Sequence, residues 1–244
     1  MTEESANAQV RSEIARKTRR SFLAGGVATL AGLSCFEWMR SRRADEDEPW
    51  PLRIGLRADE QLSRDYFRPS RLARTFPAAA VETGRPNGDI GLGDDPDPDW
   101  KLNFGEQALS LADILALPKT VMITELKCIE GWSRVIQWGG ARFSDFLAKF
   151  NDEPLDGGSY VSLETPDGEY YVGLDMESAM HPQTLLCYEM NGRPLEPQHG
   201  APLRLVTPVK YGIKNIKRIG TIEFQRSRPR DYWAERGYDW YAGF

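Results

Sequence analysis

The sequence predicts an α+β fold, mostly β, on three observations. Short runs of alternating or β-branched apolar residues recur between Trp100 and Gln225. The helical stretches between them are few and short. Strands and helices do not alternate as they would in a parallel βαβ sheet. A chain of 244 residues allows one fair-sized domain or two small ones. With 41% hydrophobic and 27% charged residues, a fully disordered chain is excluded. The net charge of −5 argues against a general nucleic-acid binder.

Each element has a local cause. Trp100–Phe104 alternates apolar and polar, as a half-buried strand does. Ser110 followed by Asp113 reads as a helix N-cap with an acidic first turn, and Pro118 ends that helix. Val121–Leu126 is rich in β-branched residues and leads straight to Cys128. Phe143, Phe146, Leu147 and Phe150 fall on one face of a helix. Tyr160–Glu164 and Glu169–Val172 flank Pro166-Asp167-Gly168, which signals a hairpin. Asp175 can cap a short helix that stops before Pro182. Leu185–Met190, Leu203–Thr207 and Ile219–Gln225 complete the strands, with a turn at Asn191-Gly192.

The N-terminal region has a separate character. Residues 1–43 hold eight Lys/Arg against four Asp/Glu, whereas the rest holds 23 against 32. Residues 1–17 are polar and read as disordered. Thr18-Arg19-Arg20-Ser21-Phe22-Leu23 then precedes an apolar, Gly/Ala-rich run to Phe36, the pattern of a twin-arginine export signal. Phe22–Met39 would span ~27 Å as a helix, just enough for a hydrocarbon core. A cleaved signal and a retained anchor over residues 22–39 both remain open. In the second case Arg40, Arg42 and Arg43 would sit at lipid headgroups. Residues 44–99 read as an extended approach segment, with a short helix expected within Leu62–Phe76. The run Asp94-Asp95-Pro96-Asp97-Pro98-Asp99 reads as turn and loop chemistry.

Two stretches concentrate chemistry. Cys128-Ile129-Glu130-Gly131-Trp132-Ser133 places a cysteine directly after a strand, where a thiolate can ligate a soft metal or attack a substrate. A buried structural thiol is the plain alternative. His181 and His199 are the two histidines, too few with three cysteines for a typical zinc site. The second stretch runs from Gln198 to Arg218. It gathers His199, Arg204, Lys210, Lys214, Lys217 and Arg218 with Gly200 and Gly212, a composition that suits an anion, phosphate above all. A solvated basic face is its alternative. Cys187 and His181 read as core residues.

Both stretches resemble the sulfite oxidase superfamily of molybdopterin enzymes. The Cys128 motif is similar to the C-x-E-x-W-S of its periplasmic methionine-sulfoxide reductase catalytic subunits. Residues 185–217 resemble the superfamily's cofactor-binding segment almost throughout. The resemblance covers roughly residues 100–226 and implies a β-rich, sulfite-oxidase-type molybdopterin-binding fold. It implies that Cys128 ligates molybdenum. It further implies that Thr165, His199, Arg204, Asn215, Ile216 and Lys217 hold the molybdopterin cofactor (Mo-MPT). Glu130, Trp132 and Tyr211 are the candidate substrate-pocket residues. Sulfite oxidases carry arginines directly after the ligand cysteine. Here Gly131-Trp132-Ser133 stand there, which suits a neutral or zwitterionic substrate better than a dianion.

The expectation is an exported oxidoreductase that transfers an oxygen atom to or from a small molecule, with sulfoxide reduction favoured. The sequence has neither a haem-attachment motif nor a cysteine cluster, so electrons would be exchanged with a separate partner such as a membrane cytochrome. Two other readings stand beside it: a sulfite-oxidising dehydrogenase, and a membrane-anchored subunit that kept the fold without catalysis. Residues 227–244 read as an aromatic C-terminal tail, either core cover or a rim over the site.

Overall fold

The computed structural model describes residues 3–42, 44–45, 48–68, 70–93, 98–151 and 160–244. Arg43, and residues 94–97 of the run read as turn and loop, lie outside that set. The chain divides into two compact units, 1–55 and 56–244.

In the first unit, helix α1 runs from Glu3 to Arg40. The expectation of disorder over residues 1–17 is therefore corrected. Residues 3–17 contain no glycine or proline and are mostly good helix formers, which polarity alone does not reveal. Within α1, Arg16–Arg40 is long and apolar enough to cross a membrane. Two short strands follow, β1 (Ala44–Asp45) and β2 (Glu48–Pro49), paired antiparallel.

Helix α2 spans Trp50–Tyr66. It corrects the expected helix within Leu62–Phe76 and shows that segment 44–99 is not extended throughout. Pro51 sits in the first turn, where a missing N–H costs nothing.

The second unit is built on two five-stranded sheets. The first has the order β10-β9-β6-β5, from Arg193–Pro194, Leu185–Met190, Ser133–Arg142 and Lys119–Lys127, with β11 (Arg204–Val206) also paired to β9. The second has the order β4-β3-β12-β7-β8, from Gln107–Leu109, Leu102–Phe104, Thr221–Gln225, Tyr160–Glu164 and Tyr171–Asp175. Only β12 and β3 run parallel; the other pairs are antiparallel. Together with the short helices α3 (Leu111–Leu115), α4 (Phe143–Phe150) and α5 (Met176–Ala179), this is an α+β fold.

Strand β9 shows how the core is organised. Leu186 and Tyr188 face the main core, while Leu185 and Cys187 face a smaller cluster with Met122, Ile136 and Trp138 on the opposite side. Alternation of side chains along a strand produces this division. Burial on both faces explains why the strand reads as a continuous apolar run. Helix α4 inserts Phe143 and Phe146 into the main core, where Phe146 meets Phe104 edge-on at 5.0 Å. Full burial of one such ring stabilises the fold by about 1.5–3 kcal/mol.

Strand β6 is absent from the sequence reading, although it pairs along its length with β5 and also with β9. Arg134, Gln137, Gly139 and Gly140 interrupt its apolar pattern. At Gly140 the backbones of β6 and β9 approach so closely that a Cβ would lie 2.7 Å from the Cα of Cys187. The register shift between Gly139 and Gly140 sits at this approach. Strand β8 begins two residues later than expected, because Thr165 and Tyr170 close a wider turn, with the Thr165 N–H donating to the Tyr170 carbonyl.

Candidate active site

The β5–β6 hairpin ends in a five-residue loop, Cys128–Trp132. The Cys128 N–H donates to the Trp132 carbonyl at 2.9 Å, and the Gly131 N–H to the Cys128 carbonyl at 3.2 Å. Gly131 has φ +85°, a conformation that costs glycine little. The loop holds Cys128 at 7% exposure on the wall of a cleft of about 260 Å³. Glu130 lines the same cleft, and its carboxylate accepts the Trp132 indole N–H at 2.8 Å. Trp132 itself is not a lining residue. Its ring carries the Arg85 guanidinium at 4.8 Å.

The facing wall comes from residues 211–218. A 3-10 turn over Gly212–Lys214 brings Asn215 and Lys217 to the cleft. Gly212 packs closely on the facing loop: a Cβ there would stand 3.3 Å from the Lys127 carbonyl and 3.8 Å from the Cys128 Cα. Asn215 is locked on both ends of its amide, accepting the Thr207 N–H at 2.8 Å and donating to the Tyr211 carbonyl at 3.1 Å. Ile216 is fully buried in the main core and anchors this wall from behind. Tyr211 does not line the cleft. Its ring packs on Phe244 at 5.0 Å.

A third segment, Gly84–Gly93, closes the site. Lys217 Nζ donates to the carbonyls of Asn87 (2.7 Å), Gly88 (2.9 Å) and Gln198 (3.0 Å). Those three bonds use all the donors of an ammonium. Thr165 supports the same segment, since a Cβ on Gly91 would meet its side chain at 2.5 Å. The Thr165 hydroxyl is engaged with Asp167 at 2.6 Å.

Behind these walls lies a cluster of buried cationic groups. Arg204 donates to the carbonyls of His199 (2.9 Å) and Asn215 (3.1 Å), while its Nε is buried without a partner. Burial pulls the Arg204 guanidinium down to about 10. Burial, then Arg204, pulls Lys217 down to about 8. Burial, with Arg204 and Lys217, also holds His199 below its ordinary value. The mutual repulsion of Arg204 and Lys217, which also keeps His199 towards its neutral form, is relieved by a bound anion.

Three basic residues of the sequence motif stand outside this cluster, Arg218 donating to the Leu92 carbonyl instead. Lys214 is fully buried and paired with Asp231, and Lys210 is fully buried beside Asp175 at 3.6 Å. They are interior residues, neither cofactor grips nor a solvated face. Cys187 is interior too, its thiol pushed up to about 12 by burial. His181 is buried, with its Nε2 3.1 Å from the Arg71 carbonyl.

The cleft therefore brings together Cys128, Glu130, Asn215 and Lys217, with His199, Arg204, Thr165 and Ile216 supporting its walls from behind. Sequence reasoning missed Asn87, Gly88 and Tyr170, and left the roles of Trp233 and Tyr238 open; all five line it. The Asn87-Gly88 turn and the aromatic tail were the available signals. The residues fit a molybdopterin: one soft thiol on one wall, the positive charge of Lys217 on the other, and the orphaned guanidinium nitrogen of Arg204 behind it.

Comparison with known proteins agrees. The family model for the oxidoreductase molybdopterin binding domain matches residues 93–233. The chain is 32% identical over 251 residues to the protein-methionine-sulfoxide reductase catalytic subunit MsrP of Campylobacter jejuni, covering 93% of this chain and 80% of that protein. It is 38% identical over 215 residues to MsrP of Xanthomonas campestris pv. campestris, covering 77% of this chain and 62% of that protein. MsrP of Xanthomonas axonopodis pv. citri is 32% identical over 215 residues, with the same coverage. The chain thus belongs to the molybdopterin-binding oxidoreductases of the sulfite oxidase superfamily.

Proposed function

We propose that this oxidoreductase reduces a sulfoxide, with methionine sulfoxide as the model substrate, at the Cys128 cleft. The observation that carries the reading is the meeting of the Cys128 thiol with Asn215 and Lys217 across one cleft. When bound, the molybdenum cofactor supplies the two-electron couple for oxygen-atom transfer. Cys128 would ligate the metal. Lys217 and Arg204 would offset the charge of the cofactor's phosphate, with Asn215, Ile216, Thr165 and His199 shaping its bed. Overall, a sulfoxide, two protons and two electrons give a sulfide and water. Glu130 is exposed and lines the cleft, so it is the carboxylate placed to relay protons from solvent. Trp132 orients Glu130 through the indole bond. Tyr211 supports the cleft through the main chain rather than by direct contact. Electrons would come from a separate membrane cytochrome or similar carrier.

The chain layout supports this reading: a twin-arginine signal or anchor over 1–43, a segment over 44–99, a catalytic domain over 100–226 and an aromatic tail over 227–244. Export would place the domain in the periplasm. An Arg19→Lys/Arg20→Lys variant should remain in the cytoplasm.

The test is made on cofactor-loaded protein from its own host. X-ray absorption at molybdenum should lose one sulfur neighbour in Cys128→Ala. Viologen-driven methionine sulfoxide reduction should fall at least 100-fold. Identical spectra for the two proteins, or sulfite oxidation faster than sulfoxide reduction in the wild type, would overturn the reading.

A further inference from the structure

A second groove, of about 520 Å³, reaches Lys127 at the end of the strand that leads to Cys128. Arg68, Arg71, Arg74 and Lys127 line it, and no Asp or Glu does. None of the four forms an ion pair among the described residues, although the chain as a whole is acidic. Large apolar side chains stand exposed between them: Tyr66 at 72%, Leu72 at 59% and Phe244 at 52%. Unopposed cations around an exposed apolar patch are the signature of a surface that meets an acidic partner.

The position of the groove narrows the choice of partner. Lys127 lines the groove and Cys128 lines the cleft, yet the two are consecutive, with Cα atoms ~3.8 Å apart. Lys127 closes β5 and Cys128 opens the loop after it, so groove and cleft adjoin at one strand end. Phe244 in the groove also stacks on Tyr211, whose neighbour Gly212 packs against the Lys127–Cys128 backbone. A redox centre held here would stand against the residue next to Cys128 without entering the cleft.

We propose that this groove docks the electron donor, through an acidic face of a reduced haem protein. The proposal rests on the reading that electrons arrive from a separate carrier. The balance is two one-electron steps: two ferrous haems become ferric and give up two electrons, which the enzyme's bound cofactor would take up. These electrons, with two protons from solvent, convert the sulfoxide to sulfide and water. The cationic rim steers the donor, and Tyr66, Leu72 and Phe244 give it an apolar seat.

The test uses detergent-solubilised membranes of the protein's own host with their haem reduced. Oxidised holoenzyme is added without any sulfoxide, and haem reoxidation is followed by stopped flow. Wild-type protein should reoxidise the haem at a rate that falls as salt is raised. Arg68→Glu/Arg71→Glu should slow it at least tenfold and remove the salt dependence. Arg68→Gln/Arg71→Gln should fall between the two. Turnover driven by reduced viologen, which needs no docking, should stay within twofold in both variants. Equal rates for wild type and charge-reversed protein would overturn the proposal. So would no reoxidation by wild type, equal losses in both assays, or a parallel loss of binding to protein-free anionic vesicles. Failure of viologen-driven sulfoxide reduction would instead fault the assigned reaction, and the haem measurement stands apart from it.

Discussion

The Lys210 ammonium stands 2.8 Å from the centre of the Tyr241 ring and 3.6 Å from the Asp175 carboxylate, fully buried and without a hydrogen-bond acceptor. Burial is the dominant influence and pulls its pKa from 10.5 down to about 7, against the opposing pull of Asp175. The unfolded chain therefore holds more protons than the folded one between pH 7 and 10.5. Stability must rise with pH across that window, by at most about 1.4 kcal/mol per unit from this group. Below pH 7 the penalty is present in full. Urea midpoints at pH 7, 8.5 and 10 should climb in wild type and climb less steeply in Lys210→Met. Parallel profiles would show that Lys210 remains charged inside the fold.

Lys214 presents the opposite case. Its ammonium pairs with Asp231 and also donates to the Gly173 carbonyl at 2.9 Å. Asp231 accepts the backbone N–H groups of Gly173 and Ala234 as well. This one carboxylate ties the C-terminal segment to β8 and to the wall of the cleft. Asp231→Ala leaves a buried cation without its counter-ion and should cost about 3–5 kcal/mol. The double variant Lys214→Met/Asp231→Leu should recover much of that loss. Chemical denaturation of the three proteins reads it directly, and a single-variant cost below about 1 kcal/mol would contradict it.

What was legible in the sequence was what a single element carries within itself. The Ser110–Asp113 capping box forms as read, with the Ser110 N–H donating to Asp113 at 2.8 Å. Helix α4 starts and stops where its phenylalanine spacing places it. Strand β9 matches its apolar run from Leu185 to Met190. What escaped was set by partners distant in the chain. Strand β6 looks polar and glycine-broken until β5 and β9 flank it. Lys210 and Lys214 read as an anion grip because their acidic neighbours, Asp175 and Asp231, are remote in sequence. The same holds for the cleft: Cys128 and Lys217 stand out by type, but Asn87 and Gly88 enter only because Lys217 folds back onto their carbonyls.

Gly140 tests that dependence on tertiary contact. Its φ is not in the left-handed region, so alanine is acceptable to the backbone alone. The obstacle is strand β9, whose Cys187 Cα would lie 2.7 Å from a new Cβ and whose Leu186 carbonyl would be closer still. Neither is the end of a flexible side chain. Gly140→Ala should lose about 1–3 kcal/mol or more through forced separation of β6 from β9. Gly168→Ala, in an open turn with nothing within 4 Å, carries only backbone strain at φ +72° and should cost about 1–2 kcal/mol. Thermal melts of the two variants should place Gly140→Ala clearly lower. The reverse order would mean that the sheet yields at its register shift.

Lys217 joins the cleft wall opposite Cys128 to the 84–93 segment by two hydrogen bonds, to the Asn87 and Gly88 carbonyls, and spends its third donor on the Gln198 carbonyl. Removing the ammonium strands these acceptors at the rim of the cleft. Lys217→Met keeps most of the side-chain volume and the packing of Gly200 against its backbone, so the change acts through the lost donors and the lost charge. Amide hydrogen exchange over residues 84–92 should quicken at least tenfold, while exchange in β9 stays as it was. Molybdenum content after gel filtration should fall in the same variant. Lys217→Arg should restore the charge but not the three-point fit, because a planar guanidinium cannot direct three bonds tetrahedrally. It should therefore retain more metal than Lys217→Met while leaving the segment loose. Slow exchange at residues 84–92 in both variants would show that the Thr165–Gly91 contact and the Arg218 bond to the Leu92 carbonyl hold this side of the cleft without Lys217.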